Sequence, residues 1–412
     1  MKILHTSDWH LGRMLYRQKR YAEFSQFLQW LLCVIETEQV DALLVSGDVF
    51  DTTTPSNLAQ QLYYNFLSRV ATSCCRTTVI IGGNHDSPTF LQAPKDLLHA
   101  FNVHVIGAKT ENLEDEIIVL YNGAEPKAIV CAVPYLRDRD IRTVAPGETL
   151  DDKNAKLAAG LQDHYGQVCA LASEKKAALA KEGYTNLPLI AMGHLFTAGG
   201  KTVEGDGVRD LYVGSLSHVG GDMFPDAIEY LALGHLHVPQ TVAGNDHMRY
   251  SGSPIPMGFG EANQNKKVIL VEFGLAKPKI TEIKVPCFQQ LVRITGSLDE
   301  IQTKIAQLKR EESQAWLEIE YSGTELRGNL RDLLEESVLG SQLEITIIKN
   351  KRTNDLVLKT INENETLEEL DINEVFIRCL DEAEVPEEGR QELTASYHEI
   401  VRSLQEEDLQ AE

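Results

Sequence analysis

Five short polar segments each stand at the end of an apolar run: Asp8-Trp9-His10, Gly47-Asp48-Val49-Phe50-Asp51, Gly83-Asn84-His85-Asp86, Gly193-His194 and Gly234-His235-Leu236-His237. In an extended chain, residues i and i+2 point to the same side. Asp8 can therefore converge with His10, and His235 with His237, on one ion. The segments hold five histidines, four aspartates and an asparagine, of which four histidines, two or three aspartates and the asparagine are read as ligands. That is more than one ion needs and about right for two. A dinuclear centre requires a bridging group, and a carboxylate with two oxygens serves. Two such metals clamp a phosphoryl group and activate a water between them. Several imidazoles disfavour Mg2+ and favour Mn2+, Fe2+ or Zn2+. The glycines at 47, 83, 193 and 234 are expected to let the backbone turn tightly before each polar group.

These segments need a frame that brings them together. Apolar, β-branched runs recur at 2–6, 42–46, 78–81, 128–133, 187–191, 230–233 and 267–273. Between the first of them lie helical patterns. Tyr21, Phe24, Phe27, Leu28, Leu31 and Ile35 share one face, and Ser56 opens a second helix carrying Leu58, Leu62 and Phe66. Alternating strands and helices predict a layered α/β domain, whose sites lie at the carboxyl ends of the strands. The strands after about residue 230 lack intervening helices, which predicts a partly mixed or antiparallel sheet. From about 290 a compact β-α-β-α-β unit of about 65 residues is expected, its first helix opened by the capping box Ser297-Leu298-Asp299-Glu300. Past 352 a helical tail is expected, with a second capping box at 366–369, Pro386 at a helix start and an apolar stripe on Leu393, Tyr397, Ile400 and Leu404.

At 412 residues the chain has room for roughly two to three domains. Its net charge of -22, from 61 acidic and 39 basic residues, argues at first against a nucleic-acid partner. Resolved along the chain, residues 361–412 hold 17 acidic and 3 basic residues, a net of -14, and the first 360 carry only -8. The excess thus lies in the tail, whose Leu393–Leu404 stripe could dock on its own domain or in the groove of a partner. The seven cysteines are scattered, without a CxxC pair, and most are expected to be small core residues. No apolar leader opens the sequence, and no run approaches the roughly 18 residues of a membrane span. The expectation is a soluble, intracellular protein.

D-x-H, GD-x-x-D, GNHD, GH and GH-x-H, in this order, resemble the five motifs of the calcineurin-like metallophosphoesterases. Longer stretches (5–13, 46–56, 82–87, 211–216, 232–237 and 250–259) resemble one family within them, the SbcD-type nuclease subunits of bacterial SbcCD complexes. The resemblance implies an α/β fold: a layered metallophosphoesterase sandwich of mixed sheets flanked by helices, with a small α+β capping domain and a helical C-terminal tail. The boundaries would be 1–287 for the nuclease domain, 288–355 for a DNA-capping domain and 356–412 for an acidic tail that binds the ATPase partner.

It further implies that Asp8, His10, Asp48 and His237 hold one metal, and that Asp48, Asn84, His194 and His235 hold the other, with Asp48 bridging. The cofactors would be two Mn2+, other divalent transition metals being possible. His85 would not ligate but would help expel the leaving oxygen, Asp86 would orient His85, and Asp51 would stand behind the ligands. The activity implied is a metal-dependent, ATP-stimulated 3′-to-5′ exonuclease on double strands and an endonuclease on single strands and hairpins. The partners implied are an SMC-like ATPase, SbcC, DNA, and a second copy of the chain, docked through the helices at about 56–70 and 88–100. The location would be cytoplasmic, on the nucleoid when DNA-bound. After Gly199-Gly200 the chain departs from its relatives, with Glu204-Gly205-Asp206-Gly207-Val208-Arg209-Asp210 where they often carry a Ser-Asp-Ser-Glu-Arg-like stretch.

Arg13, Arg17, Lys19 and Arg20 follow the first motif and are read as DNA-backbone contacts, with a solvated face as the plain alternative. Arg137, Arg139 and Arg142 form a second cluster, and Lys349, Lys351 and Arg352 a third. Trp9 is read as packing beneath the site rather than stacking on a base, and His5, His99, His104, His164, His218, His247 and His398 as core or structural. Two competing functions are a stand-alone phosphoesterase for a small molecule or phosphoprotein, and a scaffold without activity. The extra domain and tail speak against the first, and the complete ligand set against the second.

Overall fold

The computed structural model describes residues 1–143, 148–197, 200, 220–274, 277–323 and 330–350, with 376, 380, 390 and 397 singly. The stretch at 204–216, His218, Leu326, Lys351, Arg352, Cys379, His398, the capping box at 366–369, Pro386 and most of the 393–404 stripe lie outside the described residues. Two compact units emerge: Met1–Val292 with Gln314–Trp316, and Arg293–Ser313 with Leu317–Glu412. No helix among the described residues is long and apolar enough to cross a membrane.

In the first unit the chain runs β1 (Lys2–Thr6), β2 (Met14–Leu15), β3 (Gln18–Lys19), α1 (Tyr21–Glu38), β4 (Ala42–Ser46), α2 (Asn57–Ala71), β5 (Thr77–Ile81), α3 (Pro88–Gln92), α4 (Lys95–His99) and β6 (Val103–Ile106). It continues with β7 (Ile117–Asn122), β8 (Glu125–Ala132), α5 (Asp138–Ile141), α6 (Leu150–Lys181), β9 (Leu189–His194), β10 (Tyr230–Gly234), β11 (Gln240–Val242), β12 (Asn245–Tyr250), β13 (Lys267–Glu272) and β14 (Lys279–Lys284). Two six-stranded sheets result, ordered β14-β13-β1-β4-β5-β6 and β11-β12-β10-β9-β8-β7. β1, β4, β5 and β6 pair in parallel, as do β8, β9, β10 and β12, whereas β13 joins β1 antiparallel. The mixed character expected of the late strands is therefore observed.

Why the strands read as unbroken apolar runs is clear from the layering. Ala42 and Leu44 of β4 point into the space between the sheets, with Ile190, Met192 and Ala232 from the opposite sheet. Leu43 and Val45 point the other way, onto the apolar faces of α1 and α2. The second sheet packs its outer face, including Ile129, Cys131 and Ala191, on α6. A strand covered on both faces has no solvent side, so alternation disappears. Ser56 caps α2 by accepting from the Ala59 amide, as its position before the helix predicts. Cys75, Cys131 and Cys169 are buried, but Cys33 and Cys287 are exposed. Cys33 corrects the core expectation because it lies on α1 opposite the stripe formed by Phe24, Phe27, Leu28 and Leu31.

The second unit carries the expected β-α-β-α-β order: β15 (Leu291–Gly296), α7 (Leu298–Arg310), β16 (Trp316–Tyr321), α8 (Leu330–Val338) and β17 (Glu344–Asn350), with β16 central. Ser297 and Glu300 form the capping box of α7. Ile301, Ile305 and Leu308 of α7, with Leu317 and Ile319, are buried. Glu318, on the opposite face of β16 from Leu317 and Ile319, is also buried and pairs with Arg293 and Lys349.

Candidate metal centre

The ends of β1, β4, β5, β9 and β10 meet at one edge of the two-sheet sandwich. Cross-sheet hydrogen bonds fix the meeting: Ser46 Oγ donates to the Ala232 carbonyl at 3.0 Å, and His194 Nδ1 to the Ser46 carbonyl at 2.8 Å. The His235 amide donates to Asp8 Oδ1 at 2.9 Å, and the His85 amide to Asp48 Oδ1 at 2.9 Å. Asp8, His10, Asp48 and His235 all hold positive φ angles, of 53°, 47°, 49° and 101°. Non-glycine residues seldom occupy that region, and four together at one site is stored strain of the kind found where function constrains the backbone.

The glycines serve a different purpose from the one expected. Of the four, Gly47 alone has positive φ. Gly83, Gly193 and Gly234 are required by close approach. A Cβ on Gly83 would overlap Asp48 Oδ1, one on Gly234 the Ser46 carbonyl, and one on Gly193 the Tyr165 hydroxyl.

The side chains then converge. Asp48 Oδ2 lies 3.6 Å from His10 Nε2 and 3.4 Å from His194 Nε2. His10 Nε2 faces His237 Nε2 at 3.2 Å. Asn84 Oδ1 lies 3.0 Å from His194 Nε2 and 2.9 Å from His235 Nδ1. Asp8, His10 and His237 bring ligand atoms within mutual reach, as do Asp8, Asp48 and His194, and His10, Asp51 and His85. The outward ring nitrogens are tied to protein oxygens. His194 Nδ1 donates to Ser46 O, His237 Nδ1 to Glu261 Oε1 at 3.2 Å, and His10 Nδ1 stands 3.3 Å from Asp51 Oδ1. Each Nε2 is thereby aimed inward, where it can ligate whenever it carries no proton.

The electrostatics match a cation site. Burial lowers the His10 ring to about 4 and the His235 ring to about 3, so both are neutral ligand forms at pH 7. Burial also works against a charged His194, but the Asp48 and Asp8 carboxylates outweigh it and hold that ring up at about 9. Burial raises Asp51 too, yet His10 and Arg13 bring it down to about 2. A buried set of four imidazoles, two of them neutral at pH 7, with an amide oxygen and two carboxylates, fits divalent transition metals once His194 gives up its proton.

All seven residues expected to ligate lie in this cluster. His85 stands beside it, its ring centre 4.7 Å from that of His10 and its Nδ1 donating to the Asp51 carbonyl at 2.8 Å. Asp86 does not orient His85. Its carboxylate accepts instead from the amides of Val49, Phe50 and Gly83 at 2.9–3.1 Å, which locks the second motif to the third. Trp9 packs, fully buried, edge-on against Phe27 and Phe66. His5 and His164 are buried structural residues, bonded to Tyr230 and Glu116, while His99 is exposed.

The basic cluster divides. Arg17 and Lys19 are exposed on the β2–β3 hairpin, and Arg13 is partly buried and paired with Asp51. Arg20 is buried, its Nε donating to Glu23 at 2.8 Å, and is removed from any DNA contact because α1 begins there and turns it inward. Arg142 is likewise engaged, by Asp138 and Glu148. Sequence reasoning missed Glu261, Lys266 and Ser253, a buried group behind His237. The resembling stretch 250–259 stops two residues short of Glu261.

Residues 1–239 match the family described as calcineurin-like phosphoesterase, and residues 287–384 the type 5 capsule protein repressor C-terminal domain. The chain is similar to SbcD of the nuclease SbcCD from Escherichia coli K12, 35% identical over 407 residues and 98% of both chains. SbcD of the Rhodobacter capsulatus nuclease SbcCD is 37% identical over 311 residues, covering 73% of this chain and 74% of that one. The Bacillus subtilis protein of the same name is 36% identical over 279 residues, 68% of this chain and 67% of its own.

Proposed function

The chain belongs to the calcineurin-like phosphoesterases and, within them, to the SbcD family of SbcCD nucleases, and from that premise we propose that it cleaves DNA at a two-metal site as the nuclease component of an SbcCD-type complex. Asp8, His10, Asp48 and His237 would hold one metal and Asp48, Asn84, His194 and His235 the other. The observation that carries this reading is Asp48, whose carboxylate faces His10 and His194 from opposite ligand sets. Two imidazoles in each set favour Mn2+ over Mg2+. When bound, the two metals supply an acidified water and neutralise charge developing on the phosphodiester.

The remaining groups have separable tasks. His85 is held at Nδ1 by the Asp51 carbonyl, so the doubly protonated ring would give its Nε2 proton to the departing 3′ oxygen and keep the one on Nδ1. Asp86 fixes three amides of the surrounding loops. Arg17 and Lys19 contact the DNA backbone. In this reading the enzyme is an ATP-stimulated 3′-to-5′ exonuclease on duplex ends and an endonuclease on single strands and hairpins, acting in DNA end processing and repair. Residues 288–355 cap the DNA, and the acidic segment 356–412 binds the SMC-like ATPase SbcC. A second copy docks through α2, α3 and α4, where Leu58, Leu97 and Phe101 are exposed.

End-labelled duplex and hairpin DNA, incubated with Mn2+ and the protein with or without its ATPase, tests this reading. Wild type is expected to release nucleotides and Asp48→Ala to release none. Release that persists in Asp48→Ala would refute the mechanism. Removing residues 361–412 is expected to abolish co-purification with the ATPase while metal binding survives.

A further inference from the structure

We infer that Glu261, braced by Lys266, is a positioning residue for His237, fixing which ring nitrogen carries the proton and where the other one points. The inference rests on the two-metal reading. Glu261 is fully buried, and its two oxygens have different duties. Oε1 accepts from His237 Nδ1 at 3.2 Å. Oε2 accepts from Lys266 Nζ, from Ser253 Oγ at 3.2 Å and from the Met257 amide at 3.1 Å. Lys266 also reaches the main chain of the same histidine, its Nζ donating to the His237 carbonyl at 3.1 Å and to Ser253 Oγ at 2.9 Å. The Ser253 amide donates to that carbonyl as well. His237 is thus gripped at ring and backbone by one cluster, and its Nε2 emerges opposite His10 Nε2.

A buried ion pair is a costly way to stabilise a loop, since apolar residues of similar volume do as well. An anionic acceptor behind an imidazole does something an apolar residue does not. It holds one tautomer, bars a ring flip and makes the far nitrogen a stronger donor to a metal. The carboxylate and its lysine come from the loop between β12 and β13, beyond the residues that match the phosphoesterase family.

The test compares wild type with Glu261→Gln and Glu261→Asp. In metal-free, 15N-histidine-labelled protein, the His237 ring signals, assigned with His237→Gln, report the tautomer. Titration with Mn2+ reports affinity. Wild type is expected to keep the proton on Nδ1 whether or not Nε2 carries one. Glu261→Gln is expected to lose that signature and to bind the weaker of its metals about 10–100-fold less tightly. Glu261→Asp keeps a counter-charge for Lys266 but draws the carboxylate back by one methylene, and is expected to shift both readouts the same way. Either variant, folded, with the wild-type tautomer and affinity overturns the inference, Glu261 then serving only to neutralise Lys266. Wild type that binds no Mn2+ would instead refute the two-metal reading, and the ring signals would still decide the positioning.

Discussion

His10 and His237 bring their Nε2 atoms to 3.2 Å of each other although they follow strands of opposite sheets, β1 and β10. Behind each ring stands a carboxylate, Asp51 for one and Glu261 for the other. Two imidazole lone pairs at that separation repel unless something positive lies between them. The fold forces them together through strand-end geometry, and only a proton or a metal ion makes the arrangement favourable.

Competition between proton and metal gives the first prediction. Asp48 and Asp8 hold His194 at about 9 against its burial, so metal-free protein carries a proton there at pH 7. Metal binding must expel it. Mn2+ affinity is therefore expected to rise as pH increases from 7 towards 9, then to level off. Calorimetry in buffers of different ionisation enthalpy should show protons released at pH 7. Binding without proton release would contradict the assignment.

His85→Ala should separate ligation from proton transfer. The contact with Asp48 runs through the His85 amide, which alanine retains. Both metals should stay bound, by elemental analysis, while cleavage falls about 10²–10⁴-fold. Loss of a metal would make His85 a ligand.

Gly83→Ala and Gly166→Ala should move stability in opposite directions. A Cβ at 83 would overlap the Asp48 amide and carboxylate, whereas at 166, in α6, nothing lies within 4 Å. Urea unfolding should show Gly83→Ala destabilised by about 1–3 kcal/mol with impaired metal binding. Gly166→Ala should gain up to about 1 kcal/mol from helix propensity.

Arg20 and its neighbours should part company. Arg20→Met strands a buried Glu23, and is expected to cost about 3–5 kcal/mol of stability while leaving the DNA affinity of folded protein unchanged. Arg17→Ala combined with Lys19→Ala should leave stability intact, weaken DNA binding alike across sequences, and reduce its salt slope by about 2. Wild-type DNA affinity in that double variant would remove the hairpin from the interface.

The convergence of the candidate ligands was legible because it is local: each of these residues closely follows an apolar strand, and strand ends in an α/β layer share an edge. The β-α-β-α-β unit was legible for a similar reason, since Ser297 and Glu300 cap α7 within three residues of each other. What failed to show depended on contacts distant in sequence. Asp86 binds amides 36 and 37 residues away rather than its neighbour His85. Arg20 sits among surface-like basic residues, and the turn into α1 buries it. Glu261 approaches His237 across 24 residues with no motif to announce it. The helix α6 was also missed, because its buried Leu157, Leu161, Tyr165 and Val168 are set among long polar runs.

The central claim is that Asp48 joins two metal sites in one centre. Elemental analysis of protein saturated with Mn2+ and freed of excess metal measures that directly. The expected result is two Mn2+ per wild-type chain, falling to one or fewer in Asp48→Ala while His85→Ala retains two. An equal metal content in wild type and Asp48→Ala would contradict it.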